Sequence, residues 1–215
     1  MTQPVKSSGL AAPLLTATLL LSACGPLISF GDDGPSDTVY TLRYEGAYAA
    51  DSTQGTVVFV DEPTLAEGLN SDKVAVTLES GQRMTLEGVR WSAQLSDLVR
   101  DYVTRSLGDG SGAQMVSAGG LDIRTSCRLG VKVWALEYRP GSRAGDDIVD
   151  VAMEVSLVRL SDSQLLSKPT FTQSVTVNGQ GDAAVMAAFN QAMRSASGEM
   201  TRWFKEQLAS CSTGS

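Results

Sequence analysis

An α+β fold, a mostly antiparallel sheet with two amphipathic helices packed on one face, is what three features of the sequence predict. The first is a pair of long alternating segments in the C-terminal half. Leu129, Val131, Val133 and Ala135 alternate with Arg128, Gly130, Lys132 and Trp134, and Val149, Val151, Met153, Val155 and Leu157 alternate with Asp150, Ala152, Glu154 and Ser156. The second is a pair of segments with the helical period, over residues 92–107 and 182–208. The third is the shortness of the connections between the strands of the C-terminal half, which suits an antiparallel meander and leaves no room for crossover helices there.

In chain order, a first strand is expected over Thr38 to Tyr44 and a second over Thr56 to Val60, both rich in β-branched and aromatic residues, with Pro63 ending the second. Lys73 to Leu78 and Arg83 to Leu86 read as short strands around a Glu79-Ser80-Gly81-Gln82 turn. From Ser92 to Leu107 the period changes: Leu95, Leu98, Val99, Tyr102, Val103 and Leu107 share one face, while Gln94, Asp97, Asp101 and Arg105 lie outside it. Ser92 is the candidate cap and Gly108 the candidate stop. A helix this short is unstable alone in water, so its stripe must pack on a sheet. An edge strand is expected at Ala113 to Val116.

The two alternating strands flank a polar stretch from Arg139 to Asp147, read as a projecting hairpin loop. Ser161 to Gln164 closes the next hairpin and leads to a strand over Thr170 to Val177, with Phe171, Val175 and Val177 facing the core. The last helix starts near Asp182 and carries an apolar stripe of Val185, Met186, Phe189, Met193, Ala196, Met200, Trp203 and Phe204. Gly198 interrupts it, for close packing, for a bend, or as a plain propensity defect of about 1 kcal/mol.

The N-terminus has a different design. Lys6, an apolar run from Leu10 to Leu21, then Leu21-Ser22-Ala23-Cys24 form the three-part layout of a secretory leader cut before a cysteine. The run is well short of the roughly 20 apolar residues that span a bilayer. Residues 1–23 are therefore expected to be a lipoprotein signal peptide, and Cys24 the first mature residue and lipid attachment site. Several acyl chains are needed there because one holds a protein only reversibly. Residues 24–37, rich in turn formers, read as a flexible tether, residues 38–211 as a single α+β domain and 212–215 as a tail. Gly25, in place of a retention-type aspartate, favours the outer membrane facing the periplasm, with inner-membrane anchoring as the other destination.

Loss of Lys6 with the leader takes the formal charge from −7 to −8, so neither nucleic acid nor a general attraction to anionic lipid is expected. Cys127 and Cys211 remain as a candidate disulfide in an oxidising compartment, the alternative being two reduced thiols. With no histidine in the chain, Ser-His-Asp and Cys-His nucleophilic systems and histidine-containing metal sites are absent. Asp61-Glu62 reads as a solvated strand end, and Gly108-Asp-Gly-Ser-Gly112 follows a helix where a phosphate loop would open one. No enzyme activity and no cofactor or metal is expected.

The leader, the Tyr40-Thr-Leu42 strand, the strand from Val57 to Pro63, the Arg90-Trp91-Ser92-Ala93-Gln94-Leu95 run opening a helix and the meander before a final amphipathic helix together resemble the auxiliary lipoproteins of ABC-type transport systems. These are the PqiC-like proteins that accompany MCE-domain lipid transporters. The resemblance implies a non-catalytic, membrane-anchored subunit that docks on an MCE-domain protein, supports intermembrane phospholipid transport, and forms a homo-oligomer. An independent envelope module that binds a protein or a glycan is the alternative. Candidate partner contacts are Trp91, which is either a staple onto the body or an outward anchor, and Trp134, on the strand face opposite the core. Arg139 and Arg143 in the projecting loop either meet acidic lipid or protein or are simply solvated.

Overall fold

The computed structural model describes residues 36–46, 55–117, 123–143 and 145–212; Cys24, the leader and most of the tether lie outside them. Ten strands and two helices follow in order: β1 (Thr38–Tyr40), β2 (Val57–Val60), β3 (Thr64–Leu65), β4 (Lys73–Thr77), β5 (Arg83–Trp91), α1 (Leu95–Ser111), β6 (Gln114–Val116), β7 (Cys127–Arg139), β8 (Ile148–Arg159), β9 (Gln164–Ser167), β10 (Thr170–Thr176) and α2 (Asp182–Leu208). A short 3-10 turn, Ala209–Cys211, extends α2. The α+β class holds.

The sheet is mixed, which corrects the expectation of a mostly antiparallel one. Strands β7 to β10 do form an antiparallel set, with β8 paired to β7 on one side and to β9 and β10 on the other. Along its remaining edge, however, β7 meets β2, β3 and β4 in succession, all parallel to it. Strand β1 lies parallel to β5 and β6 parallel to β2. The physical reason is that the chain reaches β7 only after α1, and that stretch is long enough to cross over and return in the same direction. Only β4 and β5 in the N-terminal half are a true hairpin, closed by Leu78 N donating to Gln82 O (2.9 Å) and by Gly81 at φ +81.

Local boundaries move for similar physical reasons. Strand β5 runs on to Trp91 because β1 and β4 flank it, with Trp91 N donating to Asp72 O (2.7 Å). Helix α1 begins after Gln94, with no side-chain cap, so Ser92 does not cap it. Gly108 does not stop it either; Gly112 does, at φ +74, a left-handed position that glycine adopts without a Cβ penalty. The strand expected over Thr170 to Val177 is preceded by β9, which runs along the same edge of β8. Pro169 separates β9 from β10: it has no N–H to donate, yet its carbonyl accepts Val155 N (2.9 Å).

The buried faces of β7, β8 and β10 and the stripes of both helices form one core. Helix α2, about 40 Å long at 1.5 Å per residue, buries Val185, Met186, Phe189, Met193, Ala196, Met200 and Phe204, as its period dictates. Trp203 at its edge packs on Phe171 and donates Nε1 to Ser167 Oγ (3.0 Å). Where α1 and α2 approach, a Cβ on Gly110 would run into the Thr201 side chain, so glycine sets that spacing. Gly198 is different, because a Cβ there meets nothing within 4 Å and α2 continues without interruption past it. Gly198→Ala is expected to raise stability by about 0.5–1 kcal/mol through helix entropy. A lowered melting temperature in thermal denaturation would contradict this.

Cys127 and Cys211 are joined by a disulfide, with Cα atoms 5.5 Å apart. Arg159 is paired with Cys127 in the ladder, and its Nη1 donates to Ser210 O (3.1 Å), so the strand and the end of the last helix are already held together at the bridge.

Candidate partner-facing site

The face of β7 and β8 turned away from the helices is where the sequence places its outward residues. Arg128, Gly130, Lys132 and Trp134 follow each other along β7, opposite the buried Leu129, Val131 and Val133. At Trp134 the register with β8 slips: Val133 pairs with Met153 and Ala135 already with Ala152, so Trp134 is the extra residue of a β-bulge. The bulge shifts the alternation by one, and Leu136, not Ala135, takes the core position. A bulge re-aims a side chain, and here the indole is 45% exposed. Lys132 Nζ lies 3.6 Å from its ring centroid, a cation–π contact that holds the ring on the surface.

Around this ledge the charges are paired. Arg128 Nε donates to Asp61 at 2.7 Å, Arg139 Nη1 to Asp150 Oδ2 at 2.8 Å, and Lys168 lies 2.9 Å from Glu154. Exposed pairs of this kind contribute about 0–1 kcal/mol each to folding, so they remain available to a partner. Between them, a depression of about 240 Å³ opens over Gly130, lined by Asp61, Glu62, Lys132, Glu154 and Ser156. A Cβ on Gly130 would meet Ser156 Oγ at 2.8 Å, so a larger residue on the floor of the depression would have to turn the Ser156 hydroxyl aside. Among the described residues no group of three or more potential metal ligands converges.

Of the residues singled out from sequence, the structure thus brings Trp134 and Arg139 to one face of one strand. Arg143 is exposed on the projecting loop beyond them. That loop is tied down by Asp147, whose carboxylate accepts from Tyr138 OH (2.6 Å) and Gly141 N (2.9 Å). These bonds hold the Asp147 carboxyl below its ordinary range, while burial and then Asp147 push the Tyr138 phenol up to about 12. Since the folded-state value of Asp147 is depressed, its contribution to loop order is full above the ordinary carboxylate value and is lost as pH falls through the lowered one.

Trp91 needs correction as a candidate outward contact. It ends β5 pointing inward, is 1% exposed, and meets Phe189 of α2 edge-on, with ring centroids 5.3 Å apart. It belongs to the core. The Lys132 contact and the Arg128–Asp61 pair were missed from sequence: strand alternation puts Arg128, Lys132 and Trp134 together, but only the parallel register of β2 on β7 brings Asp61 to them.

The chain matches the family model of the ABC-type transport auxiliary lipoprotein component over residues 40–201. It belongs to that family. Among solved structures it is similar to a Xanthomonas campestris protein of the DUF330 family model, at 21% identity and a TM-score of 0.69, covering 82% of this chain and all of that one. An uncharacterized protein follows at 16% identity and 0.64, covering 79% of this chain and 99% of its own, and a hypothetical protein from Chlamydia trachomatis at 7% and 0.53, covering 73% and 99%. At these identities the likeness is one of fold. No curated protein matches the chain. The family implies a lipoprotein of the cell envelope that works beside a transporter.

Proposed function

We propose that this family member is a non-catalytic subunit of an ABC/MCE-type lipid transport system, anchored through acyl chains on Cys24 in the outer membrane, facing the periplasm, and working as a homo-oligomer. In this role it docks on the MCE-domain protein and supports phospholipid movement between membranes. The observation that supports docking is the open face of β7, where the bulge presents Trp134 beside ion pairs that contribute little to folding. Partially exposed aromatic anchors among re-pairable charges are where interfaces concentrate their energy.

Trp134→Ala is expected to leave the melting temperature nearly unchanged, since the ring is half in solvent, and to weaken binding to the MCE component by about 2 kcal/mol, roughly thirtyfold. Titration of the purified partner against wild type and variant reads this directly. Equal affinities would remove Trp134 from the interface. For the anchor, mass spectrometry of the membrane-extracted N-terminal peptide should find acylated Cys24 and no residues 1–23; an intact leader on the mature protein contradicts it.

A further inference from the structure

Strand β10 ends at Thr176 and α2 starts at Asp182, and the turn that joins them contains Asn178-Gly179, an asparagine followed by a glycine. An asparagine carboxamide is open to attack by the backbone nitrogen of the next residue, and a side chain on that residue hinders the approach. Glycine has none. Here the backbone itself calls for the glycine: Gly179 lies at φ +114, where L side chains are strained, and a Cβ on it would come to 3.3 Å from the Ala184 Cβ. The fold thus keeps the least hindered neighbour beside Asn178.

The surroundings leave this pair open. Asn178 and Gly179 are both exposed, and they lie beyond the last β10–β8 pair, Thr176 with Ile148, and before the first turn of α2. Gly179 N donates to no acceptor among the described residues. The Asn178 carboxamide is held by Nδ2 donating to Thr176 O at 3.3 Å, a long and exposed bond that restrains it weakly. The chain's two other asparagines are placed differently. Ser71 N, which follows Asn70, donates to Leu69 O at 2.9 Å. Gln191 N, which follows Asn190, lies inside α2 and is held in its hydrogen-bond ladder, while Asn190 Oδ1 accepts from Arg43 N (3.1 Å).

We infer that Asn178 is a site of spontaneous deamidation and isoaspartate formation in the folded protein. The Gly179 amide gives its proton to solvent base and its nitrogen bonds to Asn178 Cγ; the Cγ–Nδ2 bond then breaks, ammonia leaves and a cyclic imide remains. Water opens the imide at one carbonyl to aspartate or at the other to isoaspartate, so neither an oxidant nor an enzyme is needed. Both products replace a neutral amide by a carboxylate. The carboxylate cannot donate to Thr176 O, and it adds negative charge to a turn whose Gly179 lines one depression with Asp147 and Asp182. Isoaspartate also inserts a methylene into the main chain between β10 and α2.

Ageing the purified mature chain at mildly alkaline pH, with peptide mapping and isoaspartyl methyltransferase labelling, tests this with no partner protein, so the outcome is separate from that of MCE docking. Conversion at Asn178 should be more than about tenfold faster than at Asn70 or Asn190, whose attacking nitrogens must first be freed by local opening. It should also quicken as pH rises, because the attacking amide must lose its proton. Isoelectric focusing should show a more acidic form accumulating in the wild type and far less of it in Asn178→Gln, whose longer side chain would have to close a larger ring. Conversion at Asn178 no faster than at Asn70, or an acidic form that Asn178→Gln leaves unchanged, would overturn the inference.

Discussion

Replacing Cys127 by alanine and Cys211 by serine together is expected to remove about 4–5 kcal/mol of stability. The bridge spans a sequence separation of 84 residues, and closing a loop of that length in the unfolded chain contributes about that much in the chain-entropy picture. Against the roughly 5–15 kcal/mol total of a folded domain, this is a large share. The melting temperature should fall by about 10–20 °C, since a domain of this size loses about 2–4 °C per kcal/mol. Reductant added to the wild type should reproduce the shift and leave the double variant unmoved. An unchanged midpoint under reductant would mean that the Arg159–Ser210 contact and the α2 core hold the C-terminal turn without the bridge.

The second large effect is at Trp91. Truncation to alanine leaves a cavity against Phe189 of α2, and should cost about 3–5 kcal/mol. The indole Nε1 is buried without a hydrogen-bond partner among the described residues, so Trp91→Phe loses ring volume but no bond and should cost much less. Denaturant midpoints of the two variants measure the difference. Equal losses would show that the N–H, not the ring volume, is what Trp91 contributes. A variant Trp91→Ala as stable as wild type would contradict its place in the core.

The disulfide and Trp91 also mark how far the sequence could be read. The cysteine pair was legible because only two candidates remain once Cys24 is set aside. The inward faces of β8 and α2 were legible because their periods are unbroken over 12 and 27 residues. Trp91 was ambiguous because one aromatic at a strand end satisfies either face, and only the packing of α2 decides it. The parallel pairings of β2, β3 and β4 with β7 were not legible: each involves two or three residue pairs brought together by a crossover, a long-range choice that leaves no local pattern. The bulge at Trp134 was hidden for a related reason, since alternation in β7 looks continuous until β8 fixes the register. Most of the candidate site therefore followed from one strand's alternation, and its ion pairs from topology alone.

The proposed role is tested most directly by photocrosslinking from position 134 in intact cells, with a photoreactive amino acid in place of Trp134 and mass spectrometry of the products. Docking through the open face of β7 predicts crosslinks to an MCE-domain protein of an ABC transporter from position 134, and none from a probe on the opposite side of α2. Crosslinks only to other envelope proteins or to glycan, in cells that demonstrably express the transporter, would contradict MCE docking and favour an independent binding module.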